Sequence, residues 1–243
     1  MNIVGSGIRD AAPGKIVVTI DGPAGAGKST LSKRLAKDLG YFVLDSGAIY
    51  RTLALALLRQ GVSIDSKSVP DVMLGAITIR VEPLASSMRI FLDGIELLDE
   101  IREEYVGVAA SRFAALPEVR RSLLGIQRGV AASWNIVAEG RDMGMVVFPN
   151  AFMKFFITAD IEERAKRRFA ELLAKGEKPY YSVVLNDMRA RDIRDESRET
   201  APLVPAPDSV LIDTTHLTPE EVLKRMMQIV EDKYESRLKN TFN

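Results

Sequence analysis

Short apolar runs alternate with longer helical segments at the start of the chain. Residues 15–20 form an apolar run of strand length, and residues 28–39 follow with a leucine every fourth position. A second apolar run, 41–45, precedes another helical segment at 47–61. The pattern predicts strand, loop, helix, strand and helix, which is the opening of a parallel α/β sheet.

The middle of the chain has a different period. Ile77, Ile79 and Val81 alternate with polar residues, and a second apolar run leads to Asp93-Gly94, which is typical of a tight hairpin turn. A parallel α/β core does not need such a hairpin. The pattern therefore predicts a small antiparallel insert over residues 65–100.

The rest of the chain returns to alternating helices and strands. A capping box at residues 218–221 marks the start of the C-terminal helix. We expect the core to span residues 15–64 and 101–231, and the ends, 1–14 and 232–243, to be loosely ordered. The remaining predicted elements are helices at 101–115, 117–133, 160–176 and 182–198 and strands at 136–139, 152–159 and 210–214.

Composition narrows the classes of function. The chain has 243 residues with 33 basic and 33 acidic side chains, so no overall field attracts it to nucleic acid or to a membrane surface. It has no cysteine, which excludes disulfides, thiolate metal sites and cysteine nucleophiles. No apolar run is long enough to span a membrane, and the N-terminus lacks a signal-peptide core. We expect a cytoplasmic protein, with a monomer as the default.

The loop between the first strand and the first helix fits phosphate binding. It matches G-x-x-x-x-G-K-[ST], in which glycines let backbone N–H groups point into one concavity at a helix N-terminus. The lysine would reach the β and γ phosphates, and the serine hydroxyl would hold Mg²⁺. The loop predicts ATP and Mg²⁺ as ligands. The residues assigned to it are Gly22, Pro23, Ala24, Gly25, Ala26, Gly27, Lys28, Ser29 and Thr30.

Two further strand ends carry groups suited to a second anion. "LDSGAIYR" places Ser46, Tyr50 and Arg51 just beyond the second strand, and "EGRDMG" places Arg141 and Asp142 beyond another. Ligands of open parallel sheets bind beyond the carboxyl ends of the strands. We therefore expect these groups to face the phosphate-binding loop, although a lone arginine is as often a solvated surface residue.

Two arginine-rich segments follow, "EERAKRR" at 162–168 and "RARDIRDESR" at 189–198. In the second, Arg191, Arg194 and Arg198 share one face of a helix. A solvated, salt-bridged helix is one interpretation. The other is a helical lid, roughly residues 160–200, that surrounds a migrating phosphoryl group with positive charge and excludes water.

Taken in order, these motifs resemble those of bacterial cytidylate kinases. The matching runs are "TIDGPAGAGKST", "LDSGAIYR", "GRDMG-VVFP" and "RD-RD--R…APLVPA", and the resemblance spans roughly residues 15–231. It implies an α/β fold of the P-loop NTPase type: a parallel sheet flanked by helices, with a small antiparallel nucleotide-binding insert and a helical lid. It also implies that ATP phosphorylates CMP or dCMP.

The resemblance assigns roles to individual residues. Lys28, Arg141 and Arg198 would be catalytic. The phosphate loop would bind ATP, with Ser29 as the metal ligand, and Arg164 and Arg167 would belong to the lid. The remaining expected substrate contacts are Ser46, Tyr50, Arg51 and Arg141 around the acceptor, Ser111, Arg120 and Asp142 at cytosine, and Arg191, Asp195 and Arg198 at the ribose and phosphate.

The pattern departs from the family in two places, and other functions remain open. The usual "DGRD" reads "EGRD" at Glu139, and Ser29 stands where glycine is also common. A kinase for UMP, dTMP or shikimate is one alternative. A nucleotide-dependent switch or binding module is another, although the sequence has no N-K-x-D element that would read guanine.

Overall fold

A computed structural model describes residues 15–84 and 86–241. Its centre is a sheet of five parallel strands, in the spatial order β2 (Phe42–Asp45), β6 (Ile136–Gly140), β1 (Val17–Asp21), β7 (Met153–Thr158) and β8 (Val210–Asp213). The first strand is central, so its carboxyl end opens between two neighbours.

Eight α-helices flank the sheets in the described part of the chain. They are α1 (Lys28–Leu39), α2 (Ser46–Arg59), the short α3 (Asp71–Gly75), α4 (Glu104–Phe113), α5 (Pro117–Ser133), α6 (Ile161–Ala174), α7 (Tyr181–Ser197) and α8 (Pro219–Thr241). A 3₁₀ turn precedes α4, so that helix begins three residues later than the sequence pattern predicts. A π turn at Met143–Val147 follows β6.

Alternating side chains of the central strands divide the core into two layers. Val18 and Val137, which lie opposite each other in register, face α1 and α8. Ile136 and Ala138 face the other side, where they pack with α2, α4 and α5. All four side chains are buried, and this removal of apolar surface from water on both faces is what favours a parallel sheet.

The antiparallel insert predicted from the period-two pattern is present. Its strands are β3 (Ile79–Pro83), β4 (Met88–Leu92) and β5 (Ile95–Leu97), in that order. Asp93 and Gly94 both have positive φ, 49° and 85°, as a two-residue hairpin turn requires. Ile90 and Leu92 of β4 join the core layer of α2, so the insert is packed against the main sheet's helices.

The C-terminal helix extends beyond the core boundary predicted from the sequence. Residues 232–241, which we expected to be loosely ordered, continue α8 to Thr241. Tyr234 extends the buried stripe of Val222, Met226 and Val230, and this packing holds the last turns on the sheet. The expectation for residues 1–14 lies outside the described residues. Among the helices of 15–84 and 86–241, none is long and apolar enough to cross a membrane.

Candidate active site

The carboxyl ends of β1, β2 and β6 meet at one edge of the sheet and open into a cleft of about 1440 Å³. Asp21 at the end of β1 pairs in register with Gly140, and Asp45 at the end of β2 pairs with Glu139. Both pairings bring the predicted phosphate loop beside the polar residues that follow β2 and β6. The cleft is therefore lined by the loop, the start of α2, the residues after β6 and one face of α7.

The phosphate loop is held tightly against β7. A Cβ on Gly22, whose φ is 147°, would lie 1.9 Å from the carbonyl oxygen of Ile157, so only glycine fits there. The buried Lys28 begins α1, and its Nζ donates a hydrogen bond to the carbonyl oxygen of Pro23 at 2.6 Å. The ammonium group thus curls back over the loop, where a phosphate would lie.

Positive potential surrounds this lysine. Burial lowers the pKa of Lys28, and the nearby guanidinium groups of Arg141 and Arg191 lower it further. The charges of Glu139 and Asp195 act in the opposite direction. Two guanidinium groups next to a buried ammonium group favour the binding of a polyanionic ligand, even with two carboxyl groups nearby.

Ser29 lies beside a buried carboxyl group. Its hydroxyl donates to Oε2 of Glu139 at 2.8 Å, and the hydroxyl of Ser32 donates to Oε1 at 3.2 Å. Burial and the charge of Asp45 raise the pKa of Glu139 to about 7. No cluster of three or more His, Cys, Asp or Glu side chains suited to a metal occurs among the described residues. A hydroxyl and a carboxylate at a phosphate loop nevertheless form an oxygen-only donor set, which fits Mg²⁺ shared with a phosphate.

The start of α2 presents the second anion-binding group. The side chain of Asp45 caps the helix by accepting from the backbone N–H of Ala48 at 2.9 Å, and its other oxygen lies 3.3 Å from Nη2 of Arg51. The hydroxyl of Ser46 donates to Oε1 of the buried Gln127 at 3.1 Å. Arg51 is thus directed into the cleft by the helix cap.

A buried ion pair lies at the far end of the cleft. Arg120 on α5 pairs with Asp142, and its Nη1 donates to the carbonyl oxygen of Ala114 at 3.0 Å. Its guanidinium carbon also lies 5.5 Å from the ring centre of Tyr50. The buried hydroxyl of Ser111 has no hydrogen-bond partner among the residues that the structure describes. Three groups predicted to read cytosine therefore line one cleft, and one of them has hydrogen-bonding capacity to spare.

Helix α7 brings further arginines to the same cleft. Nε of Arg141 donates to Oδ2 of Asp195 at 2.9 Å, and Nη1 of Arg198 lies 3.8 Å from Oδ1 of the same carboxylate. Burial alone would raise the pKa of Asp195, but the charges of Arg141 and Arg191 hold it below its ordinary value. Burial and the charge of Arg141 lower the pKa of Arg191 to about 10. Cations are therefore in excess over carboxylates here.

The two arginines expected to serve as lid residues already have protein partners. Arg164 is buried, and it donates to the carbonyl oxygens of Ala159 at 2.8 Å and Ala24 at 3.2 Å and pairs with Asp192 at 2.7 Å. Arg167 donates to the carbonyl oxygen of Thr214 at 2.8 Å. In this structure Arg164 thus braces the phosphate loop against α7, and a lid role for either arginine remains a prediction.

Some residues of the site were not predicted from the sequence. Asp21 accepts hydrogen bonds from the backbone N–H groups of Met143 and Gly144, both at 2.8 Å, and so fixes the turn that carries Asp142. The position of Asp21 at a strand end, next to the phosphate loop, could have identified it from the sequence. Gln127 lies in the middle of a helix, and no sequence pattern identifies it, because its partner Ser46 lies 81 residues away in sequence.

Comparisons with known proteins identify the family of this chain. The family model described as cytidylate kinase matches residues 18–232. Proteins named cytidylate kinase from Vibrio cholerae serotype O1 and Pasteurella multocida are 46% and 43% identical over 217 residues, which cover 89% of this chain and 96% of each relative. One from Vibrio parahaemolyticus is 44% identical over the same length. The chain therefore belongs to the cytidylate kinase family.

Proposed function

We propose that the protein transfers the γ-phosphoryl group of ATP to CMP or dCMP, giving ADP and CDP or dCDP. The observation that carries the proposal is the convergence of two anion-binding sites in one cleft. Lys28 and the phosphate loop form the first, and Arg51 and Arg141 belong to the second. A binding module would need only one such site, whereas a kinase needs both facing each other.

The donor would bind along the loop, with its phosphates against the backbone N–H groups and the start of α1. Mg²⁺ would be held by the hydroxyl of Ser29, with the carboxyl group of Glu139 at 2.8 Å from that hydroxyl. When bound, the ion neutralises charge on the β and γ phosphates. Glutamate in place of the usual aspartate retains an oxygen donor at this point, which supports the metal assignment.

The acceptor would bind across the cleft. Its phosphate would be held by Arg51, Arg141 and Arg198, whose planar guanidinium groups suit phosphate oxygens. Cytosine would reach the Arg120–Asp142 pair, which offers a donor and an acceptor to the carbonyl and amino edges of the base. The other proposed contacts are Ser46, Tyr50 and Ser111 around the nucleoside and Arg191 and Asp195 at the ribose.

Transfer needs positioning and charge more than proton chemistry. The acceptor oxygen of a monophosphate is already deprotonated at neutral pH, so no strong general base is required. Lys28, Arg141 and Arg198 would balance the charge that develops on the migrating group, in a cleft from which closure excludes water. The buried position of Lys28 strengthens its effect, because the local dielectric constant is low.

A product assay tests the proposal. ATP and CMP are incubated with the protein, and the nucleotides are separated by chromatography with and without MgCl₂. We expect CDP and ADP in equal amounts, dependence on Mg²⁺, and at least a 100-fold loss in Lys28→Met, which is about 3 kcal/mol of transition-state stabilisation. ADP without CDP would instead support a nucleotide hydrolase or switch and would contradict the proposal.

We also propose that the protein acts as a cytoplasmic monomer. Every residue assigned above comes from one chain, so the site is complete without a partner copy. ATP and CMP are nucleotides of the cytoplasm, which supports that compartment. Size-exclusion chromatography with light scattering tests the oligomeric state, and a mass of 26.8 kDa at micromolar concentration is expected.

A further inference from the structure

One buried amide behind the wall of the cleft has no role in the proposals above. Gln127, on α5, is only 1% exposed, so it acts on a ligand only through another residue. Its Oε1 accepts a hydrogen bond from the hydroxyl of Ser46 at 3.1 Å, and its Nε2 donates to the carbonyl oxygen of Leu123 at 3.3 Å. Ser46 lines the cleft at the start of α2. The amide of Gln127 is therefore the support of a residue in the wall of the site.

The contact with Leu123 fixes the orientation of this amide. A backbone carbonyl oxygen can only accept a hydrogen bond, so the amide group that faces it must be the NH₂ group of Gln127. The reverse orientation would set two acceptors against each other, which is costly for buried groups. The amide oxygen therefore faces Ser46, and the hydroxyl of Ser46 must supply the proton of the hydrogen bond between them.

This hydrogen bond determines what Ser46 can offer to a ligand. A serine hydroxyl has one proton and two lone pairs. Because the proton is directed to Gln127, the oxygen presents only lone pairs to the cleft. No group within residues 15–84 and 86–241 donates a hydrogen bond to that oxygen. Ser46 is therefore suited to accept from an N–H or O–H group of a ligand and unsuited to the oxygens of a phosphate.

Ser46 lies on the side of the cleft where the base is proposed to bind. Tyr50 follows it by one turn of α2, about 6 Å along the helix axis. Burial raises the pKa of Tyr50 to about 12, and the charges of Arg120 and Asp142 both act on the same hydroxyl. The strands that precede Ser46 and Asp142, β2 and β6, are neighbours in the sheet. The acceptor at Ser46 and the proposed base contacts therefore belong to one part of the cleft.

We infer that Gln127 is a positioning residue for base specificity, because it holds the proton of Ser46 and so makes that hydroxyl an acceptor for the exocyclic amino group of cytosine. The inference rests on the proposed function, in which Asp142 accepts from one of the two N–H bonds of this amino group. The oxygen of Ser46 accepts from the other.

The same arrangement acts against UMP. Uracil carries a carbonyl oxygen where cytosine carries the amino group, so UMP would set this oxygen against the lone pairs of Ser46. A free hydroxyl would rotate and donate to the uracil oxygen, and the hydrogen bond to Gln127 opposes that rotation. Gln127 therefore contributes to specificity by making the wrong base unfavourable as well as the right one favourable.

The test measures kcat/KM for CMP and for UMP in a double-mutant cycle. Gln127→Met removes the acceptor for the Ser46 proton but keeps an unbranched side chain of similar volume, and Ser46→Ala removes the hydroxyl. A third variant carries both changes. The control is Ser122→Ala on the same helix, because the hydroxyl of Ser122 donates to the helix carbonyl oxygen of Val119 at 2.9 Å. Urea denaturation of each variant is measured as well, since a purely structural role would lower stability and affect both substrates alike.

The ratio of kcat/KM for CMP to kcat/KM for UMP is expected to fall by about 10-fold in Gln127→Met and in Ser46→Ala, which is the effect of about one hydrogen bond. It should fall no further in the double variant, because both changes remove the same acceptor. Gln127→Glu keeps an oxygen that accepts from Ser46, so it should retain most of the ratio. Ser122→Ala should match wild type.

A ratio within about 2-fold of wild type in Gln127→Met would overturn the inference. An unchanged ratio in Ser46→Ala would overturn it even if Gln127→Met does not fold. Falls that multiply in the double variant would also overturn it, because Gln127 would then act by a route other than Ser46. A wild type that does not phosphorylate CMP refutes the proposed function, whereas an active wild type with unchanged ratios in the variants refutes the inference alone.

Discussion

Substitution of Asp142 should separate the structural role of the Arg120–Asp142 pair from its role in reading the base. Both side chains are nine-tenths or more buried, at 8% and 4% exposure. In Asp142→Ala, Arg120 retains the carbonyl oxygen of Ala114 and the ring of Tyr50 but loses its ion pair with Asp142. Removal of one partner from a buried ion pair costs about 3–5 kcal/mol of unfolding free energy.

The double variant Arg120→Met/Asp142→Leu provides the decisive comparison. Replacement of a buried pair by apolar side chains of similar volume is often neutral or stabilising. We therefore expect the double variant to recover the free energy of unfolding to within about 1 kcal/mol of wild type, as measured by urea denaturation. Its activity with CMP should stay low, because the donor and acceptor proposed to read cytosine are both absent.

Two results would refute this reasoning. One is an Asp142→Ala variant whose unfolding free energy lies within about 1 kcal/mol of wild type, since the burial of Arg120 would then cost little. The other is a double variant that regains kcat/KM for CMP along with its stability. In that case the pair would contribute only packing, and the cytosine contact would have to lie elsewhere in the cleft.

Three further predictions concern single residues. Gly22→Ala should abolish ATP binding in a titration, because its Cβ would lie 1.9 Å from a backbone oxygen; normal affinity would contradict the loop geometry. Burial raises the pKa of Asp21 from 3.8 to about 6. The protonated side chain therefore stabilises the folded state by about 3 kcal/mol. This contribution is fully present below pH 3.8 and is lost as the pH rises to 6. The difference in unfolding free energy between wild type and Asp21→Asn should change over that window, and a flat difference would contradict the assignment. Ser111→Ala should leave the melting temperature unchanged or raised, because the buried hydroxyl has no partner, yet raise KM for CMP; a lowered melting temperature with unchanged KM would show a structural role only.

The sequence predicted those parts of the fold that depend on local pattern. The apolar runs and glycine loop around Lys28 are continuous in sequence, and the period-two alternation around Asp93-Gly94 is enough to identify the insert. The end of α8 was missed, because the packing of Tyr234 against the sheet is a tertiary contact that a charged C-terminal segment does not reveal.

The residues proposed for the site were chosen by residue type and by resemblance, and their hydrogen bonds and ion pairs could not be predicted in that way. That Arg51 and Arg141 share a cleft follows from the strand ends. That Arg164 braces the phosphate loop, instead of standing free, depends on the approach of Ala24, which is 140 residues away in sequence.

The most direct test of the central claim is the acceptor specificity of purified protein. The rate of ADP release from Mg²⁺–ATP is measured with each of seven acceptors: CMP, dCMP, UMP, dTMP, AMP, GMP and shikimate. The rate of the Lys28→Met variant is subtracted as background. The account predicts that CMP and dCMP have the highest kcat/KM, and that the preference over UMP falls in Asp142→Asn, which retains the shape of the side chain but not its charge. Faster turnover of any other acceptor would still support a phosphate-loop kinase, but it would contradict the proposed cytosine site.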